Sequence, residues 1–226
     1  MDQRLLNKRL SRTRKIGRLI SHLPFVRCVI LNGSLAQGKS KESSDIDLLI
    51  IAKDGRIFTA RFFINIFALL IGIKRLKDES KSHAGKFCFN YFLTENHLEI
   101  PTGRGEKIDK YCAENYSASE FVAGHKNLFN QFIRTNMELF ERYSCHPKHL
   151  QLSSRAKCNA VERSCDELDI KDSSTSVGMT KGKIGDWFEQ RVKSYQIKKI
   201  ESDPRTKKYP NLIVYNDREL RFHPPK

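Results

Sequence analysis

The chain has 226 residues, with 41 Lys and Arg against 26 Asp and Glu, which gives a formal net charge of +15 at pH 7. This length accommodates one domain, or one domain with a smaller appendage. Its 39% hydrophobic and 30% charged residues exclude collagen-like, coiled-coil-only and low-complexity proteins, and the chain is too apolar to be intrinsically disordered.

The positive charge is concentrated at the two ends of the chain. Residues 1–20 hold seven Lys or Arg against one Asp, and residues 181–226 hold twelve against six acidic residues. Basic ends on a near-neutral middle predict a polyanionic partner such as RNA, although they could serve solubility alone. The basic start lacks the apolar segment of a secretory signal, so we expect a cytoplasmic protein with free thiols. The apolar run at 62–73 is too short to span a membrane, which needs about 20 residues.

The first half of the chain predicts helices alternating with short strands. One apolar face predicts a helix over 3–22, which Pro24 ends. Apolar, β-branched runs predict strands at 26–31, 45–51 and 87–93, and the second is apolar on both faces, as in a strand covered from two sides. The apolar run that follows the Asp54-Gly55 turn predicts a buried helix over 57–73.

The second half predicts mostly helices. Aromatic residues at spacings of three and four predict one long helix over 119–143, and a further helix is expected over 154–168. A Ser-, Gly- and Lys-rich loop at 171–183 precedes an amphipathic helix that we expect to bury Trp187 and Phe188. Two short runs around residues 216–218 predict a terminal hairpin.

These elements together predict an α+β fold. A small mixed β-sheet core with flanking helices is followed by a mostly helical C-terminal region that ends in the short hairpin. We expect residues 1–110 to form the core and residues 111–226 to form the helical region, packed on that core.

The residues that carry chemistry lie between positions 31 and 51. One predicted strand runs into Gly33-Ser34, and the next opens with Asp45-Ile46-Asp47. Because residues i and i+2 of a strand project from the same face, the two carboxylates should lie side by side and repel each other unless a cation neutralises them. Mg²⁺ is often held by one or two carboxylates plus substrate phosphates, while Gly33 allows close backbone approach and Ser34 adds a hydroxyl. The pattern predicts a pocket for a metal-bound triphosphate.

This Gly-Ser, ten-residue spacer and Asp-x-Asp signature resembles the nucleotidyltransferase superfamily typified by DNA polymerase beta, and the flanking sequence resembles a bacterial branch of nucleotidyltransferase-domain proteins. The resemblance implies transfer of a nucleoside monophosphate from an NTP to an acceptor (RNA, protein or small molecule), with release of pyrophosphate. It implies that Asp45 and Asp47 are catalytic residues that hold Mg²⁺ or Mn²⁺, and that Gly33 and Ser34 seat the phosphates.

The sequence departs from the superfamily at the third carboxylate, which a later strand normally supplies. On the strand at 87–93 the corresponding polar residue is Asn90, which offers a carbonyl oxygen without charge. Asn90 could serve as a weaker catalytic ligand, Glu95 or Glu99 could substitute for it, or the enzyme could be impaired.

Three basic residues are further candidates for nucleotide binding. Lys39 and Lys41 lie in the loop between the two halves of the motif and could reach a triphosphate. Arg61, on an apolar helix, is either a buried partner for an active-site carboxylate or an arginine whose charged end reaches solvent. Two alternatives to an active transferase stay open: an impaired nucleotide- or nucleic-acid-binding module on the same fold, and an antitoxin-like partner protein.

Overall fold

A computed structural model describes residues 3–74, 84–103, 105–145, 147, 183–209 and 212–222. The predicted helix over 154–168, and all but the last residue of the predicted loop at 171–183, lie outside the described residues. In chain order the elements are α1 (Gln3–Ser21), β1 (Val26–Asn32), α2 (Gly33–Ala36), β2 (Ile46–Ala52), α3 (Ile57–Leu70), β3 (Phe87–Thr94), α4 (Glu106–Tyr116), β4 (Glu120–Gly124), α5 (Lys126–Thr135), α6 (Met137–Arg142), α7 (Lys183–Glu201), α8 (Pro204–Lys208), β5 (Val214–Tyr215) and β6 (Glu219–Arg221).

The six strands form one mixed sheet in the order β4-β1-β2-β3-β6-β5. Strands β2 and β3 are parallel, and α3 supplies the crossover that a parallel pair requires. The other neighbouring strands are antiparallel. The sheet with its flanking helices confirms the predicted α+β class, and the helices after β3 agree with the predicted helical C-terminal region.

Helices cover both faces of the sheet. On one face, α1, α3 and α7 pack against alternate strand residues such as Ile50 and Phe92. On the other face, α4, α5 and α6 pack against the intervening residues, such as Leu49 and Leu93. Because side chains alternate along a strand, β2 is apolar in both directions, as its sequence predicted. In the part of the chain that the structure describes, no helix combines the length and the apolar character needed to cross a membrane.

The prediction of one long helix over 119–143 is wrong. Its first residues form the edge strand β4, which pairs with β1 and ends at Gly124, where φ is +93° and a Cβ would lie 2.3 Å from the Arg27 carbonyl oxygen. The helical remainder divides into α5 and α6 at Asn136. The buried Asn136 side chain accepts a hydrogen bond from the Ile100 N–H (2.7 Å) and donates one to the Leu98 carbonyl (2.9 Å). These tertiary contacts override the helical periodicity.

The C-terminal segments correct one prediction and confirm another. Trp187 is 58% exposed, with the Arg191 guanidinium over its ring, so it is not a core residue as predicted. Phe188 is half-buried against Phe62 and Phe63. The predicted terminal hairpin is present as β5 and β6, and it joins the sheet beside β3. The division of the chain at residue 110 stays a prediction, and this position falls inside α4.

Glu189 of α7 accepts hydrogen bonds at the N-terminus of α3. Its Oε1 accepts from the Phe58 N–H (3.0 Å) and its Oε2 from the Thr59 N–H (2.9 Å), and the residue is only 6% exposed. The first N–H groups of a helix have no intrahelical acceptor, and a negative charge is favourable there. This carboxylate therefore couples α7 to the crossover helix of the sheet.

We expect Glu189→Gln to lower the free energy of unfolding by about 1–3 kcal/mol, because one of two buried N–H groups loses its acceptor and the charge is lost. Urea denaturation followed by circular dichroism measures the change. Glu201→Gln, at the exposed end of the same helix, is the matched control and should leave stability within about 0.5 kcal/mol of the parent. Equal stabilities for the two variants would contradict the coupling.

Candidate active site

The pairing of β1 with β2 brings the two halves of the sequence motif together. Asn32, the last residue of β1, lies opposite Asp47 in the register, and Gly33 follows at the start of α2. Gly33 has φ +70°, and a Cβ there would lie 2.5 Å from the Asp47 Oδ2 atom. The sequence predicted that this glycine leaves room for a phosphate, and the structure shows that it also leaves room for the Asp47 carboxylate.

Two carboxylates and one thiol converge at this end of the sheet. Possible ligand atoms of Asp45, Asp47 and Cys88 all lie within 4.8 Å of one another. Both aspartates are half-buried, whereas Cys88, which pairs with Asp47 across β2 and β3, is buried. Asp45 and Asp47 lie side by side, as the sequence pattern indicated. Sequence reasoning missed Cys88, although its position two residues before Asn90 places it on the same strand face.

Asn90 reaches the site through an irregularity in β3. Leu48 pairs with Phe89 but Leu49 pairs with Tyr91, so Asn90 is an extra residue at a bulge-like register shift. As a result both Asn90 and Tyr91 line the same cavity. The Asn90 Nδ2 atom lies 3.5 Å from the Asp47 Oδ1 atom, which is a long, weak contact.

The alternative carboxylates do not lie at this site. Glu95 forms an ion pair with Arg27 (3.3 Å) and accepts a hydrogen bond from the Asp54 N–H, at the opposite end of β2. Glu99 is exposed in the connection that follows β3. Neither residue lines the cavity, so the expectation that one of them replaces the third carboxylate is corrected.

The site opens into a cavity of about 480 Å³. Seven of the residues singled out from the sequence line it: Gly33, Ser34, Lys39, Lys41, Asp45, Asp47 and Asn90. Nine further residues line the cavity but were not selected as site residues from the sequence: Asn32, Ser43, Ser44, Leu48, Tyr91, Tyr111, Asn115, Tyr116 and Arg221. The motif therefore identifies the end of the cavity nearest β1 and β2, and later parts of the chain build the rest.

Helix α4 supplies a tyrosine wall. Burial raises the pKa of Tyr111 to about 12. Smaller electrostatic contributions to this increase come, in decreasing order, from Asp47, Cys112 and Asp45. Burial also raises the pKa of Tyr116 well above its ordinary value. Both hydroxyls therefore stay protonated at neutral pH and are able to donate hydrogen bonds. Sequence reasoning missed them because it did not predict α4.

The loop that carries the two candidate lysines is held in place by α1. The buried Arg9 donates from Nη1 to the Ser40 hydroxyl and to the Lys41 carbonyl, both at 2.8 Å, and also contacts the Glu42 carbonyl. Lys39 and Lys41 are exposed at the cavity. One of the N-terminal basic residues thus orders the site.

Arg61 does not lie at the cavity, so the prediction that it binds nucleotide is corrected. It lies on α3, which packs on the opposite face of the sheet. Its guanidinium contacts the Gln196 side chain and lies 4.4 Å from the centre of the Phe222 ring. Burial lowers the pKa of Arg61 to about 10, so the group remains cationic at neutral pH. It ties α3 to α7 and to the end of β6.

Comparison with known proteins bears on the segment that carries the motif. Residues 14–81 match the family model described as "Polymerase beta, Nucleotidyltransferase", and this stretch contains Gly33, Ser34, Asp45 and Asp47. No curated protein matches the chain. One solved structure, "Crystal structure of the toxin-antitoxin with AMP-PNP", is 14% identical and aligns over 67% of this chain and 94% of its own, with a TM-score of 0.32. At that TM-score the two share too little geometry to transfer a site or a function.

Proposed function

We propose that this protein is a nucleotidyltransferase of the polymerase beta type, a proposal that the family match over residues 14–81 supports, and that it transfers a nucleoside monophosphate from an NTP to an acceptor hydroxyl, with release of pyrophosphate. The observation that carries the proposal is the convergence of Asp45 and Asp47, within 4.8 Å, beside Gly33 and Ser34 in one cavity. The reaction joins the acceptor oxygen to the α-phosphorus and breaks the bond from that phosphorus to the oxygen that leaves with pyrophosphate. The acceptor hydroxyl gives up its proton.

The donor set fits a hard divalent cation. Asp45 and Asp47 offer carboxylate oxygens, which suit Mg²⁺ and Mn²⁺, and the amide oxygen of Asn90 offers a third, neutral ligand. These residues would hold the ion, which when bound neutralises triphosphate charge and lowers the pKa of the attacking hydroxyl. The like charges of the aspartates, held close together, favour cation binding. The buried thiol of Cys88 is a softer donor beside them.

The remaining residues of the cavity bind and orient the nucleotide. Ser34 offers its hydroxyl at the start of α2, and Lys39 and Lys41 bring positive charge to the same side. Arg9 holds the loop that carries both lysines in place. Less conformational entropy of this loop is therefore lost when a triphosphate binds. Tyr111 lines the same cavity as the aspartates, and its raised pKa keeps its hydroxyl protonated.

A second candidate function, nucleotide binding without transfer, rests on Asn90. Where the superfamily has its third carboxylate, this chain has a neutral amide whose nitrogen is 3.5 Å from Asp47 Oδ1. An amide supplies no negative charge to a second cation near the acceptor. The same cavity would then bind an NTP and its cation and leave them unchanged.

Asn90→Asp discriminates between the two functions. We expect the parent to release pyrophosphate from at least one NTP, and the variant to bind Mn²⁺ about tenfold more tightly because it adds a charged ligand. Titration calorimetry measures the metal, and an enzyme-coupled assay measures pyrophosphate with RNA, protein and small hydroxylated acceptors. Asn127→Asp makes the same charge change on the exposed side of α5 and should leave both readouts unchanged. A silent parent and an active Asn90→Asp variant would favour the binding module.

A further inference from the structure

Arg221 of β6 is a buried cation at the edge of the cavity that the proposed mechanism does not use. It is 4% exposed and lines the cavity, although it lies in the last strand of the described chain. Its Nε is 3.5 Å from Glu219 Oε1, and its guanidinium lies 5.8 Å from the centre of the Tyr91 ring. Among the residues that the structure describes, its two terminal nitrogens, Nη1 and Nη2, have no hydrogen-bond partner.

The bonding of Arg221 is incomplete in a way that points to an oxyanion. An arginine is always charged and carries five N–H donors, and buried charges are normally paired and hydrogen-bonded. The ion pair with Glu219 joins Nε to Oε1 at 3.5 Å, and among the described residues no hydrogen bond satisfies the outer edge of the guanidinium, formed by Nη1 and Nη2. That edge presents parallel N–H groups that match two oxygens of a phosphate or a carboxylate.

The position of Arg221 separates it from the residues that seat the triphosphate. Gly33 and Ser34 follow β1, whereas β6 lies beyond β3, on the far side of Asn90 from Asp47. Neighbouring strands are about 4.8 Å apart, so β6 lies about 10 Å from β2 and about 14 Å from β1. An oxyanion at Arg221 would therefore belong to a different part of the bound ligands than the phosphates at Ser34.

We propose that Arg221 binds a phosphate or carboxylate group of the acceptor, so that the acceptor substrate is an anion held on the β3–β6 side of the cavity. This inference rests on the proposed function and specifies its second substrate. The acceptor hydroxyl would lie beside Asn90, between the triphosphate on one side and the anchored oxyanion on the other.

The test is an NMR titration of the full chain, saturated with Mg²⁺ and a nonhydrolysable NTP analogue, with inorganic phosphate and, separately, with acetate. We expect Arg221→Gln to weaken binding of the preferred anion at least tenfold and to leave affinity for the analogue within twofold. Arg221→Lys keeps the charge but loses the paired donors and should bind the anion with intermediate affinity. Arg218→Gln, an exposed position in the same hairpin, is the matched control and should behave as the parent.

Three results would overturn the assignment: a parent that binds neither anion, unchanged anion affinity in Arg221→Gln, or an equal loss of analogue and anion binding in that variant. The last result would place the guanidinium in the nucleotide site. Retained analogue binding also shows that a variant is folded. If the parent fails to bind the analogue, the proposed function fails, and the anion titration is then made without it, with Ser34→Ala as comparison. Anion binding lost in Arg221→Gln but kept in Ser34→Ala would still support an oxyanion site.

Discussion

Asp47→Asn is expected to lower the rate of pyrophosphate release by at least about 10³-fold, since removing one group that stabilises developing charge commonly costs 10²–10³ in rate and Asp47 has several roles. Its carboxylate is grouped with the Asp45 carboxylate and the Cys88 thiol, packs against Gly33, and lies beside Asn90. The isosteric amide keeps the volume and removes the charge that a cation needs. Steady-state assays with the preferred NTP measure the loss.

Asp54→Asn is the matched control for this experiment, because it makes the same change at an exposed turn after β2. It should turn over as the parent does. Mg²⁺ with a nonhydrolysable NTP should raise the melting temperature of the parent and of Asp54→Asn, but not that of Asp47→Asn, because ligands stabilise only a protein that binds them. Parent-like turnover by Asp47→Asn would contradict a catalytic role for this carboxylate.

Gly33→Ala is expected to disrupt both stability and nucleotide binding. The residue has φ +70°, which disfavours any residue with a Cβ, and the added carbon would lie 2.5 Å from Asp47 Oδ2. We expect a loss of about 2–4 kcal/mol in the free energy of unfolding, from backbone strain plus displacement of the carboxylate. Binding of a nonhydrolysable NTP should weaken at least tenfold. Urea denaturation and titration calorimetry measure the two effects.

Gly38→Ala separates strain from contact. Gly38 has nearly the same φ, +74°, but apart from its two chain neighbours no described residue has an atom within 4 Å of the position that its Cβ would take. This variant should lose about 1 kcal/mol from backbone strain and keep nucleotide affinity within about twofold. Equal effects of the two substitutions would mean that the close packing of Gly33 on Asp47 has no role in the site.

Local patterns in the sequence were sufficient to predict the centre of the fold. Strands β1, β2 and β3 are short apolar runs, and the spacing from Gly33-Ser34 to Asp45-Ile46-Asp47 places the motif at two strand ends. These features depend on residues that are close in sequence. The wrong and missing predictions concern segments whose conformation depends on distant partners, such as β4, which pairs with β1, and α4, which packs over the cavity.

The residues of the candidate site were likewise predictable only where local sequence determines their position. The pattern identified the aspartates, but not the register shift in β3 that turns both Asn90 and Tyr91 toward the cavity, because no local sequence signal marks it. Arg221 comes from a strand 174 residues after Asp47 in sequence, and only the strand order brings it near the site. Arg61 failed as a candidate because its helix covers the opposite face of the sheet.

Several basic residues from the two ends of the chain are buried or bonded within the protein. Arg9 is used to order the lysine loop, and Arg12 donates to the Gly85 carbonyl (2.7 Å) and packs over the Phe87 ring. Arg221 is buried at the cavity. Some of the basic residues whose charge predicted a polyanionic partner therefore make contacts within the protein or line the candidate site. A polyanion would have to bind through the basic residues that remain exposed at the two ends.

The most direct measurement is the anomalous scattering of Mn²⁺ in crystals of the protein grown with Mn²⁺ and a nonhydrolysable NTP. A manganese peak within coordination distance of both Asp45 and Asp47, with the triphosphate against Gly33 and Ser34, is the predicted result. A nucleotide bound elsewhere, or aspartates that contact only protein groups while manganese and nucleotide saturate the solution, would contradict a nucleotidyl-transfer site at this end of the sheet.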